Sequence, residues 1–197
     1  MHEQYIGHRD VPLYSQQPHL LVRDGLLKQS EMVGWENSLC GLTCALMVLD
    51  AFDGKVHRLS ELLDFAKETH AYDTKHGWIH NRLASILTKY EIDGVSQTVS
   101  NLSDVYRLLE ENNLVVASVG HDYQHINHKL FKNRKGHLIL IIGMSVNDDH
   151  TYKLHVNDPG SETTKAGKNI VVDGKIFKSN FSGNIIAFGK SQRMRNI

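Results

Sequence analysis

Apolar residues fall into two kinds of run along this chain, and their order separates its first half from its second. Over residues 39–52, Leu42, Ala45, Leu46, Leu49 and Phe52 make one helical face, and Cys44, Met47 and Val48 carry apolar surface around it. A helix that is apolar nearly all round is a buried one. Asn37-Ser38 offers a cap at its start, and Asp53-Gly54 is a stop signal at its end. Helical spacing recurs over residues 59–70, 77–90 and 102–112. The last of these opens on a capping signature at Ser103, with Val105, Leu108 and Leu109 as its core face. Past residue 113 the pattern changes. Residues 114–119 and 137–142 are short apolar runs rich in β-branched residues and bounded by Gly120, Gly136 and Gly143, so both read as strands. Tyr152, Leu154 and Val156 alternate with Lys153, His155 and Asn157, a half-exposed strand entered through Asn147-Asp148-Asp149 and ended by Asp158-Pro159-Gly160. Residues 170–172 and 185–188 supply further strands. Upstream, residues 10–16 are extended, because Pro12 disfavours helix before it, and residues 17–34 look irregular. Helices first and an antiparallel sheet afterwards predict an α+β domain with no internal boundary.

Composition narrows the function more than the fold. A chain of 197 residues and 22.3 kDa can bury a substantial core without disulfides or a structural metal. Lys+Arg 22 balance Asp+Glu 22, and the missing basic excess argues against nucleic acid or an anionic membrane as partner. No apolar run approaches the roughly 18 residues of a spanning helix. Residues 1–10 lack the apolar core of a signal peptide, which predicts a cytoplasmic chain, or a secreted one if a signal has been removed. Oligomeric state leaves no mark in these residues. What stands out is a pair of cysteines four positions apart and a total of 13 histidines.

Cys40 and Cys44 share a helical face, a poor geometry for a disulfide. No further Cys or His pair follows at zinc-site spacing, so a free thiol is left. A cysteine in the first turn of a buried helix meets unpaired N–H groups and the positive end of the helix dipole, which favour the thiolate. Gly41 leaves room for a substrate or a neighbouring backbone to approach, and the Cys40 N–H points where an oxyanion would develop. Cys44 lies one turn deeper, where packing is the expected role. A thiolate nucleophile needs a proton carrier and a third group to orient it. Connectivity selects among the histidines: His137 opens the most apolar strand, Asp158 ends the next, and antiparallel pairing of the two sets them side by side. Asp-Pro-Gly is common turn chemistry, so the meaning of Asp158 lies in that register. The rival cluster is His121, His125 and His128, which on a helix would share one face and could hold a transition metal beside Asp122. Gly120 and Asn127 instead favour a polar loop at the rim of a cleft, so no metal and no cofactor is expected. Trp35 reads as core or cleft wall.

Four blocks carry a resemblance: Val11-Pro-Leu-Tyr-Ser-Gln16, Leu39-Cys-Gly-Leu-Thr-Cys-Ala-Leu-Met47, Gly136-His-Leu-Ile-Leu-Ile-Ile-Gly143 and Val156-Asn-Asp-Pro159. In this order they resemble the papain-like cysteine peptidases of the bacteriocin-processing (double-glycine leader) group, nearest its stand-alone peptidase C39-like branch. The resemblance spans roughly residues 10–160, leaving 161–197 as C-terminal strands and tail of a single domain 1–197. It implies a papain-like fold with a helical N-terminal half packed on the sheet. It also implies Cys40 as nucleophile, His137 as general base and acid, Asp158 as the group orienting the imidazole, and Gln16 as side-chain donor to the oxyanion. The chain has Leu42 where the family commonly has proline. The stretch from Gln16 to Cys40 is also long, so Gln17, Gln29 or Asn37 are alternatives for the oxyanion role. The implied function is a cysteine peptidase or amide hydrolase acting through a thioester on a peptide or peptide-like substrate. Acyl transfer on the same fold and a non-catalytic papain-like module are the alternatives, and the intact cysteine, histidine and aspartate favour the enzyme. Zero net charge implies that cleft shape, rather than a strong field, selects the substrate.

Overall fold

The structure, a computed structural model, describes residues 4–35, 38–120, 136–148, 151–161 and 164–191. The buried helix is there as its pattern demands: α2 (Cys40–Asp53) follows α1 (Pro18–Arg23), and every residue from Cys40 to Asp50 is buried. It ends at Gly54 in the left-handed conformation (φ 71°), which glycine adopts without steric cost. The start differs from expectation. Leu39 is the N-cap and supplies no side-chain bond, while the Ser38 hydroxyl is engaged with the Tyr72 hydroxyl at 2.8 Å. α3 (Leu59–Glu68) matches its predicted helix.

Residues 77–90 are not one helix. Gly77 (φ 78°) turns a small hairpin of β2 (Tyr72–Asp73) and β3 (Gly77–Trp78). Only α4 (His80–Ser85) and a 3-10 turn at Thr88–Tyr90 are helical thereafter. Residues 17–34 are likewise more ordered than their composition suggests. Besides α1 they hold a 3-10 turn at Gln29–Glu31, and Leu21, Leu26 and Leu27 reach the core.

Among the described residues the sheet has seven strands, two of which the pattern did not disclose. β1 (Gln4–Gly7) and β4 (Ile92–Thr98) precede α5 (Leu102–Glu110), whose N-cap is Asn101 rather than Ser103. β5 (Leu114–Val119), β6 (His137–Val146), β7 (Tyr152–Asn157), a short α6 (Thr164–Gly167), β8 (Ile170–Asp173), α7 (Gly174–Asn180) and β9 (Phe181–Lys190) complete the order. The strands lie as β4-β9-β5-β6-β7-β8, all antiparallel, with β1 pairing the far half of β6. Among the described residues β4 is an edge strand that pairs with β9, and its Val95 is exposed. A strand with so little to bury shows no alternation to read.

Helices cover both faces of the sheet. Leu138, Leu140 and Ile142 of β6 meet α2, α3 and α4, while Ile139 and Ile141 face α5 and α7. A bulge between Ile141 and Gly143 then shifts the alternation by one, so Met144 joins the second face. Layers on both sides explain why β5 and β6 are apolar throughout.

Candidate active site

The register of three strands brings the site together. Val119 pairs with His137 across β5 and β6, and Leu140 pairs with Asn157 across β6 and β7. Carrying that register past the end of β7 sets residues 158–160 level with His137. His137 Nε2 lies 2.7 Å from Asp158 Oδ1, with both side chains buried. The same oxygen accepts the Gly160 N–H at 2.8 Å, so the turn holds its own carboxylate in place. A Cβ at Gly160 would be crowded, standing 3.0 Å from the His137 ring and 3.1 Å from Asp158 Oδ1.

The same ring also interacts with the Cys40 thiol, through hydrogen bonding and charge. Burial alone would depress the imidazole pKa. The Asp158 and Cys40 hydrogen bonds and the negative charge of both partners outweigh it, and the ring is pushed up to about 9. A folded-state pKa above the unfolded value stabilises the protein fully below about pH 6.5, and that contribution is lost as pH rises through about 9. Chemical denaturation followed from about pH 6 to about pH 10 should show a loss of about 3 kcal/mol from this group. The loss should be absent in His137→Gln.

Cys40 is 8% exposed and opens α2. Because Leu39 contributes no capping side chain, the N–H groups of the first turn are not occupied by one. Gly41 is required by a close approach, but not that of a substrate or backbone as its sequence context suggests. A Cβ would meet the Trp78 indole at 2.8 Å and Leu83 at 2.9 Å. Cys44 is wholly buried, and its thiol reaches the Leu138 carbonyl at 3.6 Å. Burial, with the Cys40 and Asp158 charges, raises its pKa well above the ordinary thiol value. It is a core residue.

Cys40 and His137 open onto a cleft of about 510 Å3, which Gln16 also lines. The stretch 17–34 does not displace Gln16, because the extended segment before it is tied across the molecule. The Asn157 amide donates to the carbonyls of Val11 (3.4 Å) and Pro12 (3.1 Å), and the Gln16 N–H donates to Pro159 O at 2.8 Å. Tyr14 OH donates to Asp50 on α2 at 2.6 Å. Gln16 Oε1 is buried without a hydrogen-bond partner among the described residues. Of the alternatives, Gln29 is exposed on its 3-10 turn and Gln17 does not line the cleft. Asn37 lies outside the described residues, as do His121, His125 and His128. Among the described residues no group of three or more His, Cys, Asp or Glu side chains is placed to hold a metal.

The opposite wall is the β2–β3 hairpin, which no pattern in the sequence marked. Trp78 Nε1 donates to Ser38 O at 2.7 Å, and the Tyr72 hydroxyl meets the Ser38 hydroxyl. Trp35 stacks on Trp78 with centroids 6.0 Å apart, and Tyr72 packs edge-on at 5.3 Å. The hairpin is thereby fastened to the residue two before Cys40.

A first-turn cysteine on a buried helix, faced by a histidine from an antiparallel sheet, on an α+β frame, defines the papain-like class of fold. Within that class the chain belongs to the peptidase C39-like family, whose profile matches residues 8–192 and so takes in the C-terminal strands. Among the solved structures that share the fold, two illustrate it. One is a Bacillus anthracis protein described as C39-like peptidase, at 14% identity, covering 95% of this chain and 98% of that one, with a TM-score of 0.61. The other is the peptidase domain of Streptococcus ComA, a bifunctional ABC transporter involved in a quorum-sensing pathway. It is 18% identical, covers 77% of this chain and 91% of that one, and has a TM-score of 0.50. No curated protein matches the chain in sequence. No described helix is long and apolar enough to cross a membrane.

Proposed function

We propose that the protein is a cysteine peptidase that cleaves an amide bond in a peptide or peptide-like substrate through Cys40, His137 and Asp158. The observation that carries this reading is the His137 ring itself, held by Asp158 at 2.7 Å, interacting with Cys40 and opening with it onto one cleft. With Nε2 held by the carboxylate, Nδ1 is the nitrogen left to take the Cys40 proton. The sulfur then attacks the scissile carbonyl, and the first-turn N–H groups of α2, with the Gln16 amide, receive the developing oxyanion. His137 returns the proton to the leaving amine, which departs as the carbonyl re-forms as a Cys40 thioester. Water, losing a proton to the same ring, attacks the thioester and releases the acid and the thiol. Asp158 keeps the ring oriented and offsets its charge throughout.

The reading is tested by iodoacetamide at about pH 6, with the modified cysteine located by peptide mass spectrometry. Cys40 should be alkylated at least about tenfold faster than a small free thiol, Cys44 should stay unmodified, and Cys40→Ser should cleave none of a panel of labelled peptides that the wild type cleaves. A Cys40 that reacts no faster than the free thiol sinks the proposal.

A further inference from the structure

The balanced charge of the whole chain conceals an imbalance inside the cleft. None of the described residues lining it is Asp or Glu, whereas Lys75, His76 and His80 all do so. The three bases are not equivalent. The Asp73 carboxylate at the hairpin tip is committed to the turn: Oδ1 accepts the N–H groups of Lys75 (2.9 Å) and His76 (2.7 Å) and lies 2.8 Å from His76 Nδ1. Those bonds hold its pKa below the usual carboxylate range. They satisfy the His76 imidazole but leave the Lys75 ammonium without an acidic partner among the described residues. His80 is half-buried, and burial lowers its pKa, so near neutrality it meets a ligand as an uncharged imidazole that can donate or accept one hydrogen bond. The hairpin that carries Lys75 does not float. Tyr72 and Trp78, at its two ends, are both bonded to Ser38.

We infer that the cleft selects a peptide bearing an anionic side chain close to the bond presented to Cys40, with Lys75 as its counter-ion and His80 as a neutral hydrogen-bonding partner. The inference rests on Cys40 being the nucleophile, and it replaces the expectation that cleft shape alone sets the substrate. Lys75 is a solvent-exposed ammonium on the cleft rim, and with no carboxylate among the described lining residues it raises the local concentration of anions and disfavours cationic peptides.

The probes are iodoacetate, an anion, and iodoacetamide, its neutral counterpart, each reacted with Cys40 in the wild type, Lys75→Gln and Lys75→Glu. The ratio of the two rates cancels any general change in thiol reactivity. It should fall about threefold in K75Q and about tenfold in K75E, and about 1 M NaCl should bring the wild type close to K75Q. Among labelled peptides differing only by Asp for Asn or Glu for Gln, the wild type should favour the acids, and K75Q should lose that preference. If Cys40 is alkylated selectively but the ratio is the same in all three proteins, the charge selectivity is wrong while the nucleophile stands. If Cys40 reacts with neither reagent faster than a free thiol, both fall.

Discussion

Asp158→Ala should destabilise the protein by about 3–5 kcal/mol, the cost of breaking a buried charged pair by removing one partner. Two groups lose their acceptor at once: the His137 ring at 2.7 Å and the Gly160 N–H at 2.8 Å. Neither can turn to water without opening the turn, because Asp158 N is itself bonded to Gly167 O at 2.9 Å and Pro159 O to the Gln16 N–H. Asp158→Asn separates the two contributions. Its amide oxygen can still accept from both donors but carries no charge, so it should recover more than half of the loss while lowering the His137 pKa. Urea denaturation at about pH 6.5, with the ring followed by NMR titration, measures both quantities. An alanine variant within about 0.5 kcal/mol of wild type would show that the pair contributes little to the fold.

His137→Ala should slow the reaction of Cys40 with iodoacetamide at about pH 6, and any peptide turnover, by about 10²- to 10⁴-fold, the range of a lost general base. The cleft is also lined by the imidazoles of His76, which is held by Asp73, and His80, and His80 makes the comparison informative. His80→Ala should change the same rates by less than about tenfold, because it is His137 that is bonded to both Cys40 and Asp158. The reverse order, with His80→Ala the slower variant, would transfer the proton-carrying role to His80 and remove His137 from it.

Legibility in the sequence followed burial. α2 could be placed to within a residue or so because an all-round apolar helix has no other reading, and β5 and β6 stood out because both of their faces are covered. His137 and Asp158 could be paired because strand connectivity fixes which ends meet. The edge strand β4 and the four-residue β1 bury too little to leave a period. Trp78, Leu83, Ile86 and Leu87 invited a helix over residues 77–90, but the positive φ of Gly77 bends the chain into a hairpin first. The hairpin's place on the cleft wall depends on bonds to Ser38, some 40 positions away. The stitching of Asn157 to residues 11 and 12 spans well over a hundred positions. Contacts of that kind exist only once the fold does, and no local pattern announces them.

The place of β9 in the sheet has a consequence for how the molecule comes into being. The last strand in chain order is hydrogen-bonded on one side to β4 and on the other to β5. Until residues 181–190 have been made and docked, the sheet under the Cys40 helix therefore has a gap between β4 and β5. Closing so long a loop is entropically slow, and the gap closes only when β9 inserts. A chain lacking residues 181–190 would leave β4 without its strand partner and one edge of β5 open, so the helix that carries Cys40 would pack on an incomplete sheet.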